Sequence, residues 1–237
     1  MYKNVLEYQK QILSCMHNIV EFEGGYFTNS DDLEYINSNS IIGVEATSDI
    51  VASICVLLAN DIYTTKIQLP TAIQDFGDEL DTIYLVAIDQ ELKVNDDVTI
   101  QRVDEMNFDQ FIEISNKLQI QEYGSVYKRH ANEQLLNSND YLQYIIEYKH
   151  QPVGEFVYIP RLNALESLII LSEYQKLGIG TSALELIKCA NNVDLFVSAD
   201  NSSIEFYKKL NCTIIDQLEV VNLYGTPRNL LMYLSLM

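Results

Sequence analysis

Leu168–Ala190, with the sequence LIILSEYQKLGIGTSALELIKCA, is the stretch that decides the fold. The apolar residues Leu168–Leu171 predict a buried strand, and the apolar spacing within Gly180–Ala190 predicts an amphipathic helix. The turn between them contains two glycines, Gly178 and Gly180. The segment is therefore predicted to fold as a strand, a glycine-containing turn and a helix.

This arrangement is typical of a phosphate-binding loop, because a helix N-terminus presents unpaired N–H groups and a partial positive charge. Gly178 and Gly180 remove side chains that would block the close approach of a diphosphate. The loop is not the dinucleotide fingerprint, which needs a further glycine where the chain has Ala183. No Gly-Lys-[Ser/Thr] ends it, as a nucleoside triphosphate loop would require. Two glycines alone also fit an ordinary strand–helix turn.

The residue pattern Gln175-x-x-Gly178-x-Gly180 resembles the [Gln/Arg]-x-x-Gly-x-[Gly/Ala] motif of the GNAT superfamily of N-acetyltransferases. The surrounding sequence is similar to the fourth strand, pyrophosphate loop and third helix of that fold. It departs at Ser172, where many members have proline, and at Lys176, where many have glycine. The resemblance implies that this chain binds acyl-CoA.

In the family, backbone amides of the loop hold the CoA pyrophosphate, and the strand before it splays from its neighbour and pairs with the pantetheine arm. Carried over to this chain, the resemblance implies CoA contacts at Ile170, Leu171, Gln175, Lys176, Gly178, Gly180 and Thr181. It implies no metal.

A second block, SADNSSIEFYKKLNC, resembles the strand end, helix and closing turn that follow in the family. The family's asparagine position falls on Asp200, so Asn201, the candidate for the CoA-arm contact, lies one residue late. The resemblance implies that Tyr207 donates a proton to the departing CoA thiolate, the role of a general acid. A half-buried aromatic filling the helix–sheet interface is the alternative interpretation of Tyr207.

The implied chemistry is direct acyl transfer to an amine, which must lose a proton before it attacks. Glu166 is the candidate base, because a two-residue period places it on one strand face with Ala164, Leu168 and Ile170. Many relatives carry their carboxylate where this chain has Ala164. A solvated carboxylate at a strand end is the alternative interpretation of Glu166.

The acceptor is expected to be cationic, because 34 acidic residues against 15 basic ones give a net charge of −19. A small-molecule amine or a basic protein or peptide would suit this field, whereas nucleic acid and anionic membranes would be repelled. An acidic surface also serves solubility alone. The resemblance implies an acceptor groove lined by Glu122, Tyr123, Tyr127 and His130. The alternative from another functional class is a catalytically silent acyl-CoA-binding sensor or interaction module.

Several bulk features support a cytoplasmic protein. No apolar run reaches the roughly 18 residues of a membrane span, and the N-terminus lacks a secretory signal pattern. The four cysteines are scattered, which favours a reducing compartment over a disulfide framework or zinc site. His17 and His150 have no partner at metal-ligand spacing. The sequence leaves a homodimer open.

The polar segment Asp89–Asp97 is interpreted as a linker, because apolar periodicity stops there and resumes at Val98. It separates an N-terminal α/β domain, 1–92, from a transferase domain, 97–237. The predicted fold class is α/β (α+β), with a GNAT-like mixed, mostly antiparallel sheet and flanking helices in the second domain. The first domain is either a degenerate GNAT-like copy or an unrelated α/β cap.

Helices and strands are predicted from apolar periodicity and β-branched enrichment. The predicted helices are Tyr2–Val20, Asp49–Asn60, Asn107–Lys117, Asn132–Leu136, Gly180–Ala190 and Ser202–Leu210. The predicted strands are Ser40–Ala46, Thr65–Leu69, Thr82–Ile88, Val98–Arg102, Tyr141–Tyr148, Pro152–Ile159, Ala164–Leu171, Val193–Ala199, Cys212–Asp216 and Leu230–Leu236. His150–Gln151–Pro152 is predicted as a hairpin turn.

Overall fold

The computed structural model describes residues 4–15, 18–22, 25–29, 40–43, 65–70, 80–123, 133, 135–136 and 138–225. The chain divides into two compact units. One takes the described residues of Met1–Leu85, Ala199–Ser202 and Ile215–Met237, and the other takes those of Val86–Ser198 and Ser203–Ile214.

The first unit contains one described helix and a mixed set of strands. Its elements are α1 (Val5–Leu13), β1 (Asn18–Phe22), β2 (Gly25–Asn29), β3 (Ser40–Gly43), β4 (Thr65–Pro70), the start of β5 (Leu80–Ile88) and most of β11 (Thr213–Gly225). Neighbouring strands follow the order β1-β2-β3-β4-β11. The β3–β4 pair is parallel and the other three pairs are antiparallel.

The opening helix is shorter than the sequence predicts. Asn4 caps α1 by accepting from the Glu7 N–H at 2.8 Å, and the Val5 N–H donates to Asp216 Oδ2 at 2.9 Å. The helix ends at Leu13, and β1 begins at Asn18, so the predicted helix Tyr2–Val20 is wrong in its last part. Its apolar residues continue into a strand, where a two-residue rather than a 3.6-residue period operates.

The second unit carries the predicted GNAT-like sheet, and the predicted fold class is confirmed. Its elements in chain order are β6 (Val98–Arg102), α2 (Phe108–Tyr123), β7 (Leu142–Tyr148), β8 (Gln151–Ile159), β9 (Ala164–Ile170), α3 (Ile179–Asn191), β10 (Leu195–Ala199) and α4 (Ile204–Lys209). The strand order is β10-β9-β8-β7-β6. Only the β10–β9 pair of this set is parallel.

Helix α2 packs against β8, and α3 packs against β6 and β9. The residues of α2 that face the sheet follow a helical period of three and four. Phe108, Phe111 and Ile112 form a buried cluster with Val103 and Ile145. Burial of such side chains contributes roughly 1.5–3 kcal/mol each, so this stripe holds the helix to the sheet.

The hairpin between β7 and β8 turns one residue earlier than predicted. Lys149 and His150 form the two-residue loop, with φ angles of 52° and 65°, and Gln151 already belongs to β8. Two successive positive φ angles are the conformation of a type I′ turn, which matches the right-handed twist of the flanking strands. The predicted turn residues Gln151 and Pro152 therefore pair with β7 instead.

The polar segment Asp89–Asp97, interpreted as a linker, is hydrogen-bonded to side chains of α3. The Leu92 N–H donates to Glu185 Oε2 at 3.0 Å, and Leu92 is buried. The Asn95 N–H donates to Ser182 Oγ at 2.8 Å. Loss of apolar periodicity in Asp89–Asp97 thus reflects an irregular strap held by hydrogen bonds to a helix.

The predicted helix Asp49–Asn60 and strand Leu230–Leu236 lie outside the described residues, and of Asn132–Leu136 only Glu133, Leu135 and Leu136 are described. The domain boundary at 92–97 stays a prediction.

Candidate functional site

Strand β9 separates from β10 partway along its length. Only Ala164 and Leu165 of β9 pair with β10, at Phe196 and Val197. On its other edge β9 stays paired with β8 as far as Ile170. One edge of β9 is therefore open from Glu166 onward, which is the splayed arrangement expected from the sequence resemblance.

A β-bulge at Ser167 changes which residues share a face of β9. Ser167 has a φ angle of 54°, and the ladder shifts so that Glu166 pairs with Val157 and Ile169 pairs with Glu155. Val157 and Glu155 lie two residues apart on β8, on one face. The prediction that Glu166 shares a face with Leu168 and Ile170 is wrong, because the bulge interrupts the two-residue period. Glu166 shares its face with Ala164 and Ile169.

Ile170, the last residue of β9, and Leu171, which follows it, differ in whether their backbone N–H groups are bonded within the sheet. The Leu171 N–H donates to Val153 O at 2.9 Å, so it is already used by the sheet. By the alternation of an antiparallel ladder, the N–H and C=O of Ile170 point away from β8, toward the open edge. Of the two predicted contacts, Ile170 is the one with a backbone N–H directed into the open space.

The turn after β9 leads into a helix with an exposed positive end. Gly178, with φ 77°, is the N-cap of α3, and no side chain caps the helix. The first turn of α3, which includes Gly180 and Thr181, contains no acidic residue. The first N–H groups of a helix have no partner within it, so this end is suited to an anion. Lys176 is exposed in the preceding turn, with φ 63°.

The motif glutamine holds the loop to the strand. Gln175 Nε2 donates to the backbone carbonyl of Ile170 at 3.0 Å. The linker strap adds a second anchor, because Asn95 Nδ2 donates to Leu177 O at 3.3 Å. Ser182 Oγ donates to Gly178 O at 2.9 Å. The CoA contact of Gln175 stays a prediction, and the sequence missed the bond to Ile170, which only the folded turn reveals.

The two loop glycines are needed for different reasons. A Cβ on Gly178 would meet nothing within 4 Å, but its positive φ is strained for any other residue. A Cβ on Gly180 would lie 3.5 Å from Phe206 Cζ and 3.8 Å from Leu168 Cδ2, which is ordinary contact. The protein itself could accommodate alanine at position 180, so packing within the described residues does not require a glycine there.

Helix α4 brings the second sequence block to this loop. Phe206 lies beside Gly180, and the ring of Tyr207 packs edge-on against Phe206 at a centroid distance of 5.0 Å. Tyr207 is 7% exposed. The structure thus brings the predicted acid and the predicted phosphate loop together through one intervening ring.

The turn before α4 holds the displaced asparagine. Asn201 is exposed, and its backbone N–H donates to Asp81 Oδ1 at 3.2 Å. Asp200, at the family's asparagine position, accepts from the N–H and the hydroxyl of Ser202 at 3.0 and 2.7 Å. These bonds stabilise the turn, and the CoA contact of Asn201 stays a prediction.

A buried carboxyl that the sequence did not single out lies on the same face as Glu166. Glu155 of β8 is 6% exposed and accepts a hydrogen bond from Ser115 of α2. Burial raises the pKa of Glu155 to about 7, although the bond from Ser115 acts in the lowering direction. The sequence signal was a serine within the apolar stripe of α2, opposite a glutamate on an otherwise apolar strand.

We expect this carboxyl to make folding pH-dependent. The folded pKa, about 7, exceeds the ordinary 4.5, so stability is full below pH 4.5 and falls as pH rises to about 7. At about 1.4 kcal/mol per unit, the loss is about 3 kcal/mol. Urea unfolding at pH 4 to 8 should show this loss in the wild type relative to Glu155→Gln. Parallel stability curves for the two proteins would contradict the assignment.

The predicted groove residues Tyr127 and His130 lie outside the described residues, as do the side chains of Glu122 and Tyr123. Among the residues that the structure describes, no three His, Cys, Asp or Glu side chains are placed to share a metal ion. None of the helices in the described ranges is long and apolar enough to cross a membrane.

Residues 108–211 match the model of the acetyltransferase (GNAT) family. This segment includes α2, the open edge of β9, the glycine loop and Tyr207. A search of curated proteins found no match.

Three solved structures have similar folds. A functionally unknown conserved protein from Staphylococcus epidermidis is 17% identical, with TM-score 0.67 over 88% of this chain and 94% of that one. A GCN5-related N-acetyltransferase from Kribbella flavida is 14% identical, with TM-score 0.58 over 92% and 93%. One from Sphaerobacter thermophilus is 10% identical, with TM-score 0.57 over 92% and 85%. The likeness in fold extends well beyond residues 108–211.

Proposed function

Because residues 108–211 form a GNAT acetyltransferase domain, we propose that the protein transfers an acetyl or other acyl group from acyl-CoA directly to a primary amine. The observation that carries the proposal is the start of α3, which has no side-chain cap, no acidic residue in its first turn and an open position at Gly180. It lies beside a strand whose edge is open. A diphosphate and an extended amide-containing arm need these two features.

Acyl-CoA supplies an activated thioester. The loop at Gly178–Thr181 binds the pyrophosphate through its N–H groups, with the Lys176 ammonium nearby in the chain. The N–H of Ile170 donates to the extended arm or to the thioester carbonyl at the open edge of β9. Tyr207 protonates the leaving sulfur. The bonds from Gln175 and Asn95 hold the loop in place.

The acceptor proposed is a cationic small-molecule amine or a basic protein or peptide. The net charge of −19 supports this proposal, since it attracts cations and repels nucleic acid. A cytoplasmic location, where acyl-CoA is available, fits the same proposal. A homodimer is compatible with it.

A panel of amines tests the proposed function. Purified protein with acetyl-CoA should release free thiol when incubated with polyamines, aminoglycosides or lysine-rich peptides, and neutral alcohols of similar size should give none. Acetyl-CoA alone should raise Tm, because a ligand that binds only the folded state stabilises it by mass action.

The outcomes separate the alternatives. Thermal stabilisation by acetyl-CoA without thiol release from any amine would favour a silent acyl-CoA-binding sensor. Neither stabilisation nor thiol release would contradict acyl-CoA use altogether.

A further inference from the structure

Several carboxylates that could accept a proton lie on the sheet face that α2 covers. Among the described residues these carboxylates are Glu147 on β7, Glu155 on β8 and Glu166 on β9. Glu147 and Glu155 share the face because Ile145, two residues from Glu147, pairs with Glu155. The bulge at Ser167 brings Glu166 onto it.

The carboxylate of Glu147 is hydrogen-bonded to the neighbouring strand β6. It is 8% exposed, and its Oε2 accepts from the hydroxyl of Thr99, its partner on β6, at 3.1 Å. It lies at the side of the sheet away from β9, with β8 between. This carboxylate stabilises the β6–β7 ladder and is far from the open strand edge.

Glu155 lies on β8, the strand paired with β9 along the side opposite the open edge. Its partner on β9 is Ile169, adjacent to the Ile170 peptide that faces the opening. Ser115 occupies one carboxylate oxygen, Oε2, and among the described residues the other oxygen, Oε1, has no hydrogen bond. Val153 and Phe156 of the same strand are fully buried, whereas Glu155 keeps a small exposed fraction.

Most of the charged groups around Glu155 are acidic, and the ammonium of Lys117 is paired with Glu113. Glu147 and Glu166 come from the neighbouring strands. On α2, Glu113 and Lys117 form an exposed ion pair with each other at 2.7 Å, and Asp109 is exposed. Burial rather than a neighbouring charge is the first cause of the raised pKa of Glu155, and it brings the pKa to about 7. A proton acceptor works best with a pKa near the working pH.

We propose that Glu155, rather than Glu166, takes the proton from the acceptor amine, and that Ser115 positions its carboxylate. This inference rests on the proposed function. Glu155 as carboxylate accepts one proton from the ammonium form of the acceptor and becomes the neutral acid. The neutral amine forms the C–N bond, and the C–S bond breaks. Tyr207 protonates the thiolate and regains a proton from the new amide nitrogen. Glu155 then releases its proton to water, so the overall reaction yields amide, thiol and one proton.

Kinetics over a range of pH test the proposal, with acetyl-CoA and the amine that gives the fastest thiol release in the panel. Glu155→Gln keeps shape and mimics the neutral acid. It should lower kcat/KM at pH 8 by about 10²-fold or more, remove the rise in rate near pH 7 and leave the KM for acetyl-CoA unchanged.

Ser115→Ala distinguishes a role of Ser115 in positioning the Glu155 carboxylate from a purely structural role. The hydroxyl lowers the pKa of Glu155, so its loss should shift the rising limb of the pH profile to higher pH and keep the plateau. Glu147→Gln is the matched control, a second buried carboxylate on the same face, and should keep the wild-type profile.

A Glu155→Gln variant with the wild-type pH profile overturns the proposal. A second result would also overturn it: the rising limb of the pH profile is lost in Glu166→Gln and kept in Glu155→Gln. That result would assign the role of base to Glu166, the candidate from the sequence. A wild type that binds acetyl-CoA but releases no thiol with any amine contradicts the proposed function, and this inference with it.

Discussion

Gly180→Asp should weaken acetyl-CoA binding by about 10³-fold while leaving the free protein as stable as the wild type, or slightly more. Position 180 lies in the first turn of α3, where an acidic side chain improves the helix dipole interaction. The Cβ meets only ordinary contacts with Phe206 and Leu168. Against a bound diphosphate, one added charge at about 4 Å costs about 4 kcal/mol, or about 10³-fold in affinity. Calorimetric titration of acetyl-CoA measures this loss.

Two variants at the same position separate charge from volume. Gly180→Asn has the shape of the aspartate without its charge and should bind acetyl-CoA more tightly than Gly180→Asp. Gly180→Ala should retain more affinity than either, since alanine adds one methyl group. Equal losses in the aspartate and asparagine variants would show that steric exclusion, and not repulsion of a phosphate, governs the site. Unchanged affinity in Gly180→Asp would place the pyrophosphate elsewhere.

Tyr207→Phe should lower kcat by about 10²-fold or more with nearly unchanged acetyl-CoA affinity, the signature of a contact made only in the transition state. Phenylalanine keeps the ring that packs edge-on against Phe206, so the structural contribution of the side chain is preserved. Single-turnover thiol release with the best amine of the panel measures the chemical step directly.

Tyr174→Phe is the matched control for the loss of a phenol hydroxyl. Tyr174 lies in the turn between β9 and Gln175, and its hydroxyl donates to Gln151 Oε1 at 3.3 Å. We expect near wild-type turnover from this variant. A deficit in Tyr174→Phe and none in Tyr207→Phe would transfer the acid role to the turn, and full activity in both would leave Tyr207 a packing residue.

Local sequence signals were sufficient for the elements around the glycine loop. The apolar run of β9, the glycines and the periodicity of α3 predicted its helix as Gly180–Ala190, and the structure has Ile179–Asn191. The same holds for β6, predicted and observed as Val98–Arg102. These signals work because backbone propensity, solvent exposure and apolar period all act over a few residues.

Backbone conformations that depend on a partner strand could not be predicted from the local sequence. The bulge at Ser167 contains no glycine that would have indicated it in the sequence. It places Glu166 and Ile170 on opposite faces of β9, whereas the sequence predicted one face. The type I′ turn at Lys149–His150 likewise uses two non-glycine residues at positive φ. Both conformations are imposed by the pairing register of β8 with its neighbours, and tertiary context overrides the local preference.

The sequence by itself determined the kind of protein: a buried strand, a glycine-containing turn and a helix in a GNAT-like α/β domain, in a chain of net charge −19. Only the tertiary structure decided which groups meet. Glu155 and Ser115 are 40 residues apart in the chain, and Asn95 and Ser182 are 87 apart. Such pairs leave no periodic trace, because a side-chain hydrogen bond depends on packing between elements and not on spacing within one. The buried carboxyl and the strap that holds the loop are therefore properties of the folded chain.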